Sequence, residues 1–182
     1  MTPFLTLYTP TFRRPLQLAA CLESVRVQTI AAEIEQIVIP DHIGRGVGGM
    51  FAKVQHYVDA VHGRYVHMLC DDDTLTDPGV VERVKACAEA NGNPPVIIVS
   101  ARKGASIWPA GNPWPPVMGH IDLGCLIVRS DVWKQHAKDY LPVYEGDYWF
   151  AKAVSDAGHP AFWAGEVLFV QGAVSHGAAE AA

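Results

Sequence analysis

The chain has 182 residues, 49% of them hydrophobic and 18% charged, and a formal net charge of −5. This describes a globular protein large enough to bury a core, most simply as one domain, and it excludes a disordered chain. The acidic balance argues against broad nucleic-acid binding. No apolar run reaches the length of a membrane span, and Arg13 and Arg14 follow the first apolar stretch where a signal peptide would have them precede it, so the expected location is the cytoplasm.

Phe4–Tyr8 reads as a buried strand ended by Thr9-Pro10-Thr11. Pro15 suits the first turn of a helix that places Leu18, Cys21, Leu22 and Val25 on one face. Ile34–Ile39 is a second strand. After the loop Asp41–Gly46, a helix gathers Phe51, Val54, Val58 and Val61, with Gly63 as its expected C′ glycine. A third strand, Tyr65–Cys70, runs straight into Asp71-Asp72-Asp73. Asp77-Pro78 is expected to open a helix burying Val80, Val81, Val84 and Ala88, and Val96–Ser100 forms a fourth strand. The alternation predicts an α/β fold with a mostly parallel sheet and right-handed crossovers.

Beyond residue 102 the pattern changes. Lys103–Met118, rich in proline, glycine and tryptophan, reads as a long irregular loop. Gly124–Arg129 is a strand, Ser130-Asp131 caps a short helix, Asp147–Ala157 is a helix stopped by Gly158, and Trp163–Val170 is a final strand. Cys21, Cys70, Cys87 and Cys125 lie inside apolar segments without metal-ligand spacing, which predicts buried free thiols.

Three adjacent carboxylates at a strand end repel one another, and a divalent cation would relieve that repulsion. Oxygen ligands of this kind suit Mg²⁺ or Mn²⁺, which share their coordination with substrate phosphates. The competing explanation is a solvated acidic turn capping the next helix. Ligands in parallel sheets bind at the carboxyl ends of the strands, and Thr9-Pro10-Thr11, Asp41 and the triplet all lie there, which favours a site. If strand geometry persists, Asp71 and Asp73 share a side and Asp72 faces the other; a turn beginning at Asp72 changes that allocation.

Three stretches together resemble the family 2 glycosyltransferases of GT-A fold. They are Thr9-Pro10-Thr11-Phe12-Arg13-Arg14 with Ser24-Val25-Arg26-Val27-Gln28-Thr29; Gly63-Arg64-Tyr65-Val66 running to the acid triplet; and Glu145-Gly146-Asp147 at the start of a helix. The resemblance spans residues 4 to about 177. It implies a single GT-A domain, with a Rossmann-like nucleotide-sugar half (1–102) and a smaller acceptor half (103–182). The implied activity is an inverting, metal-dependent transfer from a nucleotide-diphosphate sugar, a UDP-sugar favoured, to an acceptor hydroxyl. Asp147 is implied as general base, a role an ionised carboxylate suits. Asp71 and Asp73 are implied as ligands of Mn²⁺ or Mg²⁺, with His176 as a further ligand. Thr9, Pro10, Thr11, Asp41, Arg45, Asp71 and Asp72 are implied to contact the donor. Where the family has glutamate this chain has Gly146, with Glu145 beside it.

His120 and Asp122 are candidates for acceptor or sugar contacts, and Trp108 and Trp114 either form an acceptor platform or pack their own loop. The acceptor itself is open among a saccharide, a lipid-linked glycan, a protein side chain and a modified nucleobase. The glycines of Gly44-Arg45-Gly46-Val47-Gly48-Gly49 do not follow a strand as a dinucleotide fingerprint requires, which excludes NAD binding. Two other classes compete: a sugar nucleotidyltransferase, which would need a basic cradle from Arg13, Arg14 and Arg45, and a GT-A-like module that binds a glycan or nucleotide without turnover.

Overall fold

The computed structural model describes residues 2–44 and 46–172. In chain order these form β1 (Leu5–Thr11), α1 (Pro15–Arg26), β2 (Ile34–Pro40), α2 (Gly46–Val54), β3 (Tyr65–Met68), β4 (Thr74–Leu75) and α3 (Val80–Ala90). There follow β5 (Val96–Lys103), β6 (Ser106–Trp108), β7 (Leu126–Arg129), α4 (Ser130–His136), α5 (Gly146–Asp156) and β8 (Ala161–Val170).

One sheet holds all eight strands in the order β2-β1-β3-β7-β5-β8-β4, with β6 hairpinned onto β5. β1 pairs parallel with β2 and β3, and β5 pairs parallel with β8. β7 inserts antiparallel between β3 and β5, so the fourth predicted strand does not lie beside the third.

Apolar alternation with the period of a strand divides the core in two. Leu7, Ile97 and Val99 face Cys21 and Val25 of α1 and Val80, Val81, Val84 and Ala88 of α3. Tyr8, Val96 and Ile98 face Phe51 of α2, Trp133 of α4 and Phe150 of α5. The second face is built around a ring stack: Tyr140 lies 5.4 Å from Phe51 and 4.1 Å from Phe150, both nearly parallel.

The Ser24–Thr29 motif fastens the end of α1 to the segment that follows the acid triplet. Ser24 Oγ accepts the Leu75 N–H, and the buried Gln28 amide donates to the Asp77 carbonyl and accepts from the Val81 N–H.

Several local expectations need correcting. Gly63 does not cap a helix, because α2 ends at Val54 and a 3₁₀ segment Gln55–Ala60 follows. A Cβ on Gly63 would lie 2.6 Å from the Thr6 nitrogen, so close backbone approach requires glycine there. The glycine-rich stretch is largely helix, and Gly48 admits the Pro142 carbonyl 2.6 Å from where its Cβ would be. Asp77 does not cap α3 directly: it accepts the Gly79 N–H and pairs with Arg83, and the helix begins at Val80. The long loop is shortened by the β5–β6 hairpin, which turns at Gly104 with φ of +60°. None of the four cysteines is disulfide-bonded; Cys21 and Cys125 are buried, Cys70 and Cys87 half-buried.

Candidate active site

The carboxyl ends of β1, β2 and β3 open into two clefts that share Val47, Met50 and Cys70. The first, about 550 Å³, is lined by Pro10, Thr11, Phe12, Arg14, Asp41, Gly44 and Asp71 among others. The Asp41 N–H donates to the Thr11 carbonyl (2.7 Å), which ties the end of β2 to the end of β1. Asp41 accepts from Lys53 Nζ (3.0 Å) and from the Ile43 N–H (3.2 Å), so its carboxylate is held in place at the rim of α2. Thr9 stands apart from its two neighbours. It is fully buried, its hydroxyl accepts from Gln36, and it lines neither cleft. Strand alternation turns it away from the face where a ligand would lie.

The acid triplet does not continue the strand. β3 stops at Met68, and the Asp73 N–H donates to the Cys70 carbonyl (3.0 Å), so Asp71 and Asp72 occupy the centre of a tight turn. The turn separates the carboxylates that alternation would have put together. Asp71 accepts from the buried Arg14 guanidinium at 3.1 Å and from the Phe12 N–H at 3.4 Å. Arg14 also lies 3.5 Å from Asp72. Part of the triplet's charge is therefore met by a side chain of the protein itself, and sequence reasoning missed this role of Arg14.

Asp73 is buried, and its Oδ1 accepts the Gly172 N–H at 3.1 Å. Burial first, and then the negative charge of Asp72, push its carboxyl up to about 7. A Cβ on Gly172 would lie 2.3 Å from the Asp72 carbonyl oxygen, so the chain beyond β8 passes directly against the acid turn. Cys70 Sγ and one carboxylate oxygen each of Asp72 and Asp73 lie within 4.8 Å of one another. Among the described residues this is the one group of three or more potential metal ligands so gathered; Asp71 is outside it and Cys70, unanticipated as a ligand, is inside it. Two carboxylates and a thiol within that span fit a divalent cation. Arg45 and His176 lie outside the described residues.

The second cleft, about 1000 Å³, carries Asp147, Glu145, Asp122 and Lys103 on walls that include Phe51, Trp108, Met118, Tyr144 and Tyr148. Asp147 sits in the first turn of α5, where its Oδ1 accepts the Tyr148 N–H at 2.7 Å. Burial first, with the Asp122 charge also raising it against backbone hydrogen bonds that lower it, brings its carboxyl to about 6. Asp122 accepts the Gly124 N–H at 3.0 Å and pairs with Lys103 at 3.3 Å. Gly146 precedes Asp147 for a steric reason: the Phe51 ring and the Leu141 carbonyl oxygen would both lie 2.4 Å from its Cβ. A glutamate there would expel Phe51 from the ring stack.

The two tryptophans have separate tasks. Trp108 lines the second cleft, with the exposed His120 ring 6.1 Å away, whereas Trp114 packs against the core.

No family model and no curated protein sequence matches this chain. Its fold has solved counterparts. S. aureus TarS superimposes with a TM-score of 0.67 over 92% of this chain at 13% identity, although the match spans only 36% of the TarS chain. The chain has a GT-A-like fold. TarS residues 1–349 in complex with UDP-GlcNAc give a TM-score of 0.64 at 12% identity, covering 91% of this chain and 57% of that one. The mannosyltransferase PcManGT from Pyrobaculum calidifontis, in complex with GDP-Man and Mn²⁺, gives 0.61 at 11% identity, covering 96% and 58%. At these identities the likeness concerns the GT-A-like frame alone. Within that frame, no described helix is long and apolar enough to cross a membrane.

Proposed function

We propose that this chain is an inverting, metal-dependent glycosyltransferase of the family 2 kind, moving a sugar from a nucleotide-diphosphate donor to an acceptor hydroxyl. The observation that carries the reading is the meeting of two clefts at Val47, Met50 and Cys70, the residue that opens the acid turn, with Asp71 lining the first cleft and Asp147 the second. Residues 1–102 supply the donor side and the segment from 103 onward supplies the acceptor side. The solved counterparts bound to UDP-GlcNAc and to GDP-Man with Mn²⁺ support a nucleotide-sugar donor, and a UDP-sugar is favoured.

The first cleft receives the nucleotide. Pro10, Thr11, Phe12 and Asp41 line it together with the Arg14–Asp71 ion pair. Asp71 and Arg14 act as a fixed ion pair that orients the acid turn, and Asp72, Asp73 and Cys70 would hold Mn²⁺ or Mg²⁺. That cation would neutralise the charge growing on the departing diphosphate. His176 would add a further metal ligand and Arg45 a phosphate contact.

Asp147 takes the proton from the acceptor hydroxyl as the acceptor oxygen bonds to the anomeric carbon. The bond from that carbon to the diphosphate oxygen breaks on the opposite face, and the electron pair leaves with the nucleotide. A carboxyl brought to about 6 is ionised at neutral pH and more basic than an ordinary aspartate, which suits a general base. A nucleotidyltransferase reading is weaker, because Arg14 is already engaged by Asp71 and Asp72 and does not offer a triphosphate cradle.

The test is donor-dependent thermal stabilisation with Mn²⁺ across a panel of nucleotide sugars, followed by nucleotide release with and without acceptor. Stabilisation by one nucleotide class with turnover supports an enzyme. Stabilisation without turnover, unaltered in Asp147→Asn, identifies a binding module. No stabilisation by any donor overturns the reading.

A further inference from the structure

Large exposed apolar side chains are not spread evenly over this molecule. Eleven such side chains occur among the described residues, and six of them, Val117, Met118, Leu141, Val143, Tyr144 and Trp149, belong to two segments that frame the second cleft. Met118 and Tyr144 both line it, at 48% and 73% exposure, and the other four belong to the same two segments of chain.

The walls of that cleft are apolar and aromatic, and the charged groups there, Lys103, Asp122, Glu145 and Asp147, are few. Lys103 and Asp122 pair with each other. The segment carrying Leu141, Val143 and Tyr144 is braced from below: the Pro142 carbonyl lies against Gly48 and the Leu141 carbonyl against Gly146. Glycine at both positions lets the backbone approach so closely, and the apolar side chains are held outward on a supported ridge. Exposed apolar side chains that also line a cleft mark a place where apolar matter is bound.

We propose that the second cleft accepts an amphipathic molecule, with the reacting hydroxyl beside Asp147 and an alkyl chain lying across Met118, Tyr144 and the ridge behind Tyr144. The acceptor class is therefore a hydroxylated headgroup on a hydrocarbon tail, bound as a single molecule. This rests on the glycosyl-transfer reading for the role of Asp147, but the tail subsite stands on its own geometry.

The experiment is calorimetric titration of the whole chain, without donor or metal, with n-alkyl β-glucosides from methyl to octyl below their micelle concentrations. Affinity should rise roughly twofold per added methylene, since a partly covered methylene contributes less than a fully buried one. In the double variant Met118→Ser, Tyr144→Ser the dependence on chain length should flatten, while circular dichroism and urea midpoint show an intact fold. Equal affinity for methyl and octyl glucosides, absence of binding by any member, or an unchanged slope in the double variant would overturn the proposal. Two other results would also overturn it. Co-sedimentation with phosphatidylcholine vesicles without binding of monomeric glucosides assigns the ridge to a membrane surface. A dimer that dissociates in the double variant, with glucosides unbound, assigns it to a second copy of the chain. Donor-induced stabilisation is read separately, so failure of the tail subsite and failure of the transferase reading give different patterns.

Discussion

Arg14 reaches back from the start of α1 to place its guanidinium 3.1 Å from Asp71 and 3.5 Å from Asp72, all three side chains at or below 7% exposure. A buried cation with two carboxylates cannot lose one member cheaply, because the remaining charges stay out of water. Arg14→Met is expected to cost about 3 kcal/mol or more in unfolding free energy, measured by urea denaturation at neutral pH. A loss below about 1 kcal/mol would show that the ion pair is not part of the folded scaffold.

Asp147 should show the opposite sign. Its folded-state carboxyl is raised by burial from an ordinary 3.8 to about 6, so the folded chain holds this proton more tightly than the unfolded chain. Stability therefore declines as pH climbs from about 4 to about 6, and the full penalty is present above that window. Asp147→Asn removes the charge but keeps an acceptor for the Tyr148 N–H. The variant should gain about 1–2 kcal/mol at pH 7, after discounting for partial solvent contact, and gain nothing near pH 4. Paired denaturation curves at the two pH values decide it.

The same shift sets the rate profile. A general base must be deprotonated, so kcat/KM for transfer should be flat above about pH 6 and fall tenfold per unit below it. In Asp147→Asn the residual rate should lose this acidic limb. A limb retained unchanged in the variant would assign the titration to another group.

Cys70 makes a metal prediction that carboxylates alone would not. With the thiol among the ligands, Cd²⁺ and Zn²⁺ should stabilise the chain at much lower concentration than Mn²⁺, and Cys70→Ser should narrow that gap, most for the thiophilic Cd²⁺, while keeping the Mn²⁺ response. Asp73→Asn should weaken the response to every divalent cation. Thermal shifts across the metal series provide the readout, and an undiminished gap between Cd²⁺ and Mn²⁺ in Cys70→Ser would remove the thiol from the site.

Gly172→Ala probes the acid turn from outside. The new methyl would fall 2.3 Å from the Asp72 carbonyl oxygen, so either the turn or the chain after β8 must move. Metal-induced stabilisation should drop at least tenfold in apparent affinity, and the unfolding free energy without metal, from urea denaturation, should fall by about 1–3 kcal/mol. A wild-type metal response would mean the contact is not maintained in solution.

Much of this arrangement is written locally. The alternation of Leu7 with Tyr8 and of Ile97 with Ile98 sets the two faces of the sheet, and Pro15 and Gly158 mark helix ends where they were expected. What sequence order does not encode is which strand lies beside which: β7 enters between β3 and β5 because of side-chain packing spread over the whole sheet. The acid turn shows the same limit at small scale. Period-two reasoning assumes a straight strand, and a single hydrogen bond from Asp73 to Cys70 bends the chain and redistributes three carboxylates. Arg14 was legible as a motif residue but not as a buried counter-ion, since its partner lies 57 positions away. Cys70 did carry a signal, because it immediately precedes the acids; an ordinary reading of cysteines in apolar runs passed over it.

The contact between Gly172 and the acid turn joins positions 99 residues apart. As the chain emerges from a ribosome, β1 to β3 and the residues of the first cleft are all available long before the amide that bonds to Asp73 has been made. The donor side can thus be shaped early, yet the amide that fixes Asp73 is in place only when β8 has crossed the sheet. A truncated product ending before β8 would carry the acids without their clasp, and synthesis itself orders the assembly so that the ligands come first and their clasp later.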